Sequence, residues 1–351
     1  LIWSSRPFRT GLRQFSGCIT PWRVIARGHV PGLLTVSARS VVGLGLQPAY
    51  LSLHGLARDL ALLWLARFGD LHVQPQLLLH RNPVSHPAVS SIASSDQAVH
   101  WSLDQNDEVV SILQRHASHW LCAQGRFAPT SQKGIFRVEY SALASDLVSV
   151  IIPYRDKAEL TRTCVFSLLQ QKLPLALEII LVDNGSCEPE AVALADELII
   201  HAQEAGVSLV GVRDESPFNY AALNNRARAH CRGNYLFFLN NDIHFVSSDA
   251  LQRLLDPFGM ASTGAVGSRL LYEDGTIQHH GLVAAARQPH DILSPAKGLV
   301  PGPAIAPFLV LDVQEQWSAA TAACLLIRSE LFDRLAGFDE SFAVAYNDVD
   351  L

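Results

Sequence analysis

The chain has 351 residues, 49% of them hydrophobic and 17% charged, which is enough apolar surface for a substantial core and a length that suggests two domains. A formal net charge of -6 gives no general attraction for a polyanion, so no nucleic-acid partner is expected. The six cysteines (Cys18, Cys122, Cys164, Cys187, Cys231 and Cys324) are scattered without a CxxC pair, which fits a reducing, cytoplasmic setting better than a disulfide framework.

Residues 1–82 stand apart by charge. Arg6, Arg9, Arg13, Arg23, Arg27, Arg39 and Arg58 all precede the first acidic residue, Asp59. Between Tyr50 and Phe68, Leu53, Leu56, Leu60, Leu63 and Leu65 fall near one helical stripe, which predicts an amphipathic helix. Internal packing is the plainer use of such a helix; peripheral attachment at the inner face of the cytoplasmic membrane, or a transit segment, are the alternatives. No apolar run reaches the roughly 18 residues that span a bilayer, so no membrane span is expected. The chain starts without Met and stops inside a motif taken up below, so it reads as a cut piece. Residues 83–146 form a second region: Pro83 to Ser95 is Ser, Pro, Ala and His-rich and reads as a linker, followed by a helix near Asp107–Cys122.

At Leu147 the pattern changes. LVSVIIP is a β-branched run typical of a buried parallel strand, a helix follows over Lys157–Gln171, and EIILVD is a second buried strand ending at Asp183. Strand, helix, strand in about 35 residues is a right-handed βαβ unit. A helix near Glu188–Ala205, a strand near Val207–Val212, a helix over Asn219–Cys231 that Gly233 can end, and the strand YLFFLNND continue the series. The expected fold class is therefore α/β over residues 147–351, an open, mostly parallel sheet with flanking helices. In such sheets ligands bind beyond the carboxyl ends of the strands. Three of those ends are polar: Pro153-Tyr154-Arg155-Asp156, Asp183-Asn184-Gly185-Ser186 and Asn240-Asn241-Asp242.

Neither GxGxxG nor GxxxxGK[ST] is present to hold phosphate. A carboxylate on a tight turn at a strand end can instead hold a divalent cation that bridges a diphosphate, and Asp242 is so placed. The plain alternative is an Asn-Asn-Asp turn closed by its own side chains. Asn219 stands where a helix starts and would serve as its cap. Asn224 falls in mid-helix, where an amide has poor propensity and is available to a ligand.

The segments VSVIIPYRD (148–156), EIILVDNGS (178–186), FNYAALNN (218–225), GNYLFFLNND (233–242), DGTIQHHG (274–281), TAACLLIR (321–328) and GFDESFAVAYNDVDL (337–351) together resemble family 2 glycosyltransferases, in particular rhamnosyltransferase-like proteins. The resemblance covers residues 147–351 and none of the first 146. It implies a GT-A fold and inverting transfer of a sugar from a nucleotide-sugar donor to a hydroxyl on a glycan or lipid-linked acceptor. By the same resemblance Pro153, Tyr154 and Arg155 line the base and ribose pocket, and Asp183 accepts from the base. Asn219, Asn224, Asn240 and Asn241 face the donor, and Asp242 holds Mg2+ or Mn2+ in a variant of the DxD motif. His279, not His280, falls on the family's histidine, although a core or surface histidine is the simpler reading. Asp348 matches the family's base, with Asp350 as fallback; the residue before it is Asn347 where the family has Glu. That departure leaves open a nucleotide-sugar-binding module without catalysis. A sugar nucleotidyltransferase is the other rival, although the loop after the first strand, YRDKAEL, lacks its Gly-rich character.

Overall fold

A computed structural model describes Asp59, Leu62, Leu63 and Ala66 and residues 104–130, 136–284, 292–301 and 313–351. Residues 1–121, 126–138 and 302–316 make one compact unit; 122–125, 139–301 and 317–351 make the other. The arginine-rich segment, the helix expected over Tyr50–Phe68 and the linker lie outside the described residues, apart from the four positions above, which are helical.

In the first unit, helix α1 (Asp104–Trp120) begins earlier than its sequence suggests. It presents Arg115 and His116 to Asp59, whose carboxylate is fully buried; Arg115 Nη1 donates to it at 2.6 Å and His116 Nε2 lies 2.8 Å away. A buried carboxylate requires such partners. Strands β1 (Gly125–Pro129) and β2 (Phe136–Tyr140) form a two-stranded sheet that composition did not signal.

The second unit follows the predicted alternation: β3 (Leu147–Tyr154), α2 (Ala158–Leu169), β4 (Ala176–Asp183), α3 (Pro189–Glu204), β5 (Ser208–Arg213), α4 (Tyr220–Ala227) and β6 (Tyr235–Leu239). Helix α5 (Ala250–Leu255) and short strands follow: β7 (Ala265–Gly267), β8 (Leu270–Leu271), β9 (Ile277–His279), β10 (Val283–Ala284) and β11 (Ile292–Leu293). Then come β12 (Cys324–Arg328), α6 (Ser329–Arg334) and α7 (Asn347–Asp350). The main sheet has the order β5-β4-β3-β6-β12-β7. β3, β4, β5 and β6 are parallel, and β12 runs antiparallel to both of its neighbours. This is the open, mostly parallel GT-A arrangement with helices on its faces.

The alternation of β3 divides the core in two. Val148, Val150, Ile152 and Tyr154 join residues of α2, α3 and α5 on one face, whereas Ile151 joins Ala221, Leu223 and Phe332 of α4 and α6 on the other. Complete burial of each such aliphatic chain is worth about 1.5–3 kcal/mol. The helix expected over Asn219–Cys231 is shorter, ending at Ala227 with a 3-10 turn, Arg228–His230. Gly233 does not end it. A Cβ at Gly233 would stand 2.6 Å from Leu147 O and from Ser149 Oγ, so glycine is there to let β3 pass.

β4 pairs with all of β3, but β6 pairs only with Val148–Ile151. Pro153, which has no N–H to give, lies in the stretch of β3 that β6 leaves unpaired. Chain order reverses between β3 and β6, which makes the crevice at their carboxyl ends the switch point where α/β sheets take ligands.

Candidate active site

The loops after β3 and β4 are knitted to each other. Asp156 Oδ1 accepts from the N–H groups of Cys187 (2.7 Å) and Glu188 (2.9 Å), at the start of α3. These two donors hold its carboxyl below the usual range, the Glu188 N–H most. Its own N–H donates to Ser186 Oγ at 2.8 Å, and the Lys157 N–H to Glu188 Oε2 at 3.0 Å. Asp156 and Lys157 both adopt positive φ, 52° and 49°, a conformation that costs energy in non-glycine residues and is kept here by those bonds.

Several donor-side expectations change in this setting. Tyr154 does not line the crevice. Two-residue periodicity puts it on the same face as Val148, Val150 and Ile152, where it is buried and its hydroxyl donates to Ala191 O at 3.0 Å. Burial pushes its phenol up, with the Asp183 carboxylate adding to the shift. Asp183 is likewise engaged: Oδ1 accepts from Ser186 N–H (2.7 Å) and Oδ2 from Arg213 Nη1 (2.6 Å). Arg213, which sequence reading passed over, also donates from Nε to Glu215 Oε1 (3.0 Å) and from Nη2 to Ser186 O (3.3 Å), and so clamps the β4 loop to the end of β5. Pro153 is half-buried, and the Arg155 side chain is 57% exposed with only a long contact, 4.0 Å, to Asp156, which leaves it a free cation at the rim.

Asn219 is a cap. Its Oδ1 accepts from Ala222 N–H at 3.0 Å and its Nδ2 donates to Glu340 O at 2.8 Å, so both ends of the amide are used. Asn224 is fully buried within α4, where Nδ2 donates back to Tyr220 O at 2.8 Å and Oδ1 has no hydrogen-bond partner among the described residues.

The turn after β6 is different. Asn240 donates its N–H to Ala323 O (2.9 Å) and its carbonyl accepts from Ile243 (3.2 Å). Asn241 Nδ2 donates to Thr161 Oγ1 of α2 at 2.9 Å, and Asp242 is exposed. The described residues contain no cluster of three or more His, Cys, Asp or Glu side chains able to hold a metal. Yet one exposed carboxylate beside amide oxygens is a hard-oxygen set of the kind Mg2+ or Mn2+ shares with a nucleotide's phosphates, so the residues fit a cation held jointly with a ligand.

Opposite this turn stands the segment 321–323, just before β12. Ala322 N–H donates to Asp348 Oδ2 at 3.0 Å, and Thr321 N–H to His279 Nε2 at 3.3 Å. Gly281 N–H also donates to His279 Nε2, at 3.1 Å. An acceptor Nε2 makes His279 the neutral tautomer with its proton on Nδ1. Burial pushes its pKa down against the opposing charge of Asp348. Asp350, the fallback base, is turned away, lining a cavity with Leu335, Gly337 and Asp339. Asn347 is buried and its Nδ2 donates to Phe342 O at 3.1 Å.

A model of "Glycosyl transferase family 2" matches residues 149–294. The chain is 36% identical over 274 residues to the O-antigen biosynthesis protein RfbC of Myxococcus xanthus, covering 77% of this chain and 20% of that protein. It is 35% identical over 224 residues to the uncharacterized protein y4gI of Sinorhizobium fredii, covering 64% of this chain and 23% of that protein. The chain thus spans about a fifth of the length of these curated relatives. Among solved structures, the mannosyltransferase PcManGT of Pyrobaculum calidifontis, in complex with GDP-Man and Mn2+, superposes with a TM-score of 0.41 at 16% identity. That match covers 57% of this chain and 49% of that one.

Proposed function

We propose that the chain, whose residues 149–294 match the family 2 glycosyltransferase model, transfers a sugar from a nucleotide-diphosphate sugar to a hydroxyl of a glycan or lipid-linked acceptor, with inversion. One observation carries the reading: the 321–323 segment bonds Asp348 through Ala322 N–H and the Asn240 turn through Ala323 O, so a candidate base and a candidate cation turn share one short peptide.

Asp348 takes the proton of the acceptor hydroxyl as its oxygen bonds to the anomeric carbon. The bond from that carbon to the diphosphate oxygen breaks on the opposite side, and the nucleoside diphosphate leaves with the electron pair. Asp242 and the amides of Asn240 and Asn241 would hold Mg2+ or Mn2+, which when bound neutralises the leaving diphosphate. Exposed Arg155 offers the diphosphate a second positive group. Pro153 and the loop wired around Asp183 form a rigid seat for the base and ribose, and the engaged carboxylate of Asp183 acts by holding that loop.

Asn347, where the family has Glu, gives its amide to the loop that leads to Asp348. The test is a panel of nucleotide-diphosphate sugars, with and without Mn2+ or Mg2+, scored for donor consumption and product. Asp348→Asn is expected to cost on the order of 10²–10⁴-fold in kcat while nucleoside diphosphate still binds. Undiminished transfer by this variant would refute the assignment of the base.

A further inference from the structure

Tyr220, the first residue of α4, holds two peptides at once. Its hydroxyl donates to Ala322 O at 2.9 Å, and its N–H donates to Ala343 O at 2.8 Å. The first belongs to the segment in which Ala322 N–H donates to Asp348; the second lies in the loop 341–346 that leads into α7, where Asp348 stands. The start of α4 is itself fixed, because Asn219 caps it and donates to Glu340 O, while Asn225 donates to Phe338 O at 2.8 Å. The Tyr220 ring packs against Phe338 with centroids 6.0 Å apart, in a core that includes Phe332 and Phe338.

We propose that Tyr220 is the positioning residue of the base: its hydroxyl anchors Ala322 O, in the peptide next to the one whose N–H donates to Asp348, and its N–H fixes the loop that carries Asp348. This rests on Asp348 being the base. The carboxylate has a lone pair set against Ala322 N–H and its other oxygen left for the acceptor. Each peptide is planar, and the one that holds Ala322 O meets the one that holds Ala322 N–H at the Ala322 Cα, so anchoring the first limits rotation of the second; the bond from Thr321 N–H to His279 Nε2 limits it from the other side. Burial, and after it the charge of Asp348, hold the Tyr220 phenol protonated, as a donor must be. The same charge acts on His279, which accepts the neighbouring Thr321 N–H.

The test is Tyr220→Phe in the intact protein, which keeps the ring and removes one hydroxyl. Transfer kcat is expected to fall about 10-fold to 100-fold, the cost of a misplaced catalytic group. The donor KM and the affinity for uridine diphosphate, or for the diphosphate of whichever donor the panel selects, are expected to stay unchanged. Because the residue acts through Asp348, Tyr220→Phe is expected to add nothing in an Asp348→Asn background. Full kcat in Tyr220→Phe would overturn the proposal. So would a rise in donor KM in step with the loss, or an equal fractional loss in both backgrounds. If Asp348→Asn alone keeps full transfer, the base reading fails and takes the positioning role with it; a failure of Tyr220→Phe against an inactive Asp348→Asn removes the positioning role only. Thermal unfolding of each variant separates these outcomes from loss of the fold.

Discussion

Two aspartates stand just past the ends of strands in the same sheet and are treated in opposite ways. Asp156, after β3, has one carboxylate oxygen taken by two backbone N–H groups at the head of α3 and its own N–H taken by Ser186. Asp242, after β6, is exposed on a turn held by its neighbours' bonds, Asn240 to Ala323 O and Asn241 to Thr161. The difference teaches how to separate scaffold from chemistry where both are built from Asp and Asn. A carboxylate whose lone pairs are spent on its own backbone builds the seat, and one presented by a fixed turn with its oxygens free is available to a ligand.

This contrast can be broken. The largest effect is expected for Asp242→Asn, a loss of metal-stimulated transfer on the order of 10²-fold or more with an unchanged melting temperature, checked by steady-state rates across a Mn2+ titration. A variant that unfolded instead would move Asp242 into the scaffold. Next comes Glu178, at the opposite end of β4, whose buried carboxylate accepts from Ser149 Oγ (2.6 Å), Arg232 N–H (2.6 Å) and Arg232 Nε (2.8 Å). Burial alone would raise its pKa, but the Ser149 and Arg232 bonds prevail and lower it. The stability it contributes is therefore present above the unfolded carboxylate value and is lost as pH falls through the lower folded value. Glu178→Gln is expected to cost about 2 kcal/mol at neutral pH, a gap that closes on acidification, read by urea unfolding at a series of pH values. The smallest effect is Asp156→Asn: a melting temperature lower by a few degrees, with the Mn2+ dependence of transfer intact. A changed metal dependence in this variant would erase the distinction between the two carboxylates.

The parallel strands were readable because residues buried on both faces leave a continuous β-branched signature, as in Val148 to Ile152 and Glu178 to Val182. β12 carried an equally apolar run, but nothing local in Cys324 to Arg328 records that it runs antiparallel, since direction is set by the partner strand. Tyr154 was misjudged because its neighbours in the motif are polar while its period-two partners are core residues. Asn219 could be read as a cap from its place alone. Asn224 stands out in the sequence as an amide in mid-helix, but nothing there tells that it is buried and bonded to the preceding turn. Least legible was the 321–323 segment. It falls in the motif TAACLLIR, but it acts through backbone N–H and C=O groups, which its side chains do not reveal.

The reversal of β12 has a consequence for how such a domain can diversify. A strand running against its neighbours brings its beginning to the edge where they bring their ends, so the chain that passes that edge at His279 is back at it by Thr321. Both points of return are moored, His279 by Gly281 and Thr321, and Leu282 by its bridge to Ala319. Sequence grafted between these moorings is therefore expected to leave the Ala322 N–H bond to Asp348 intact.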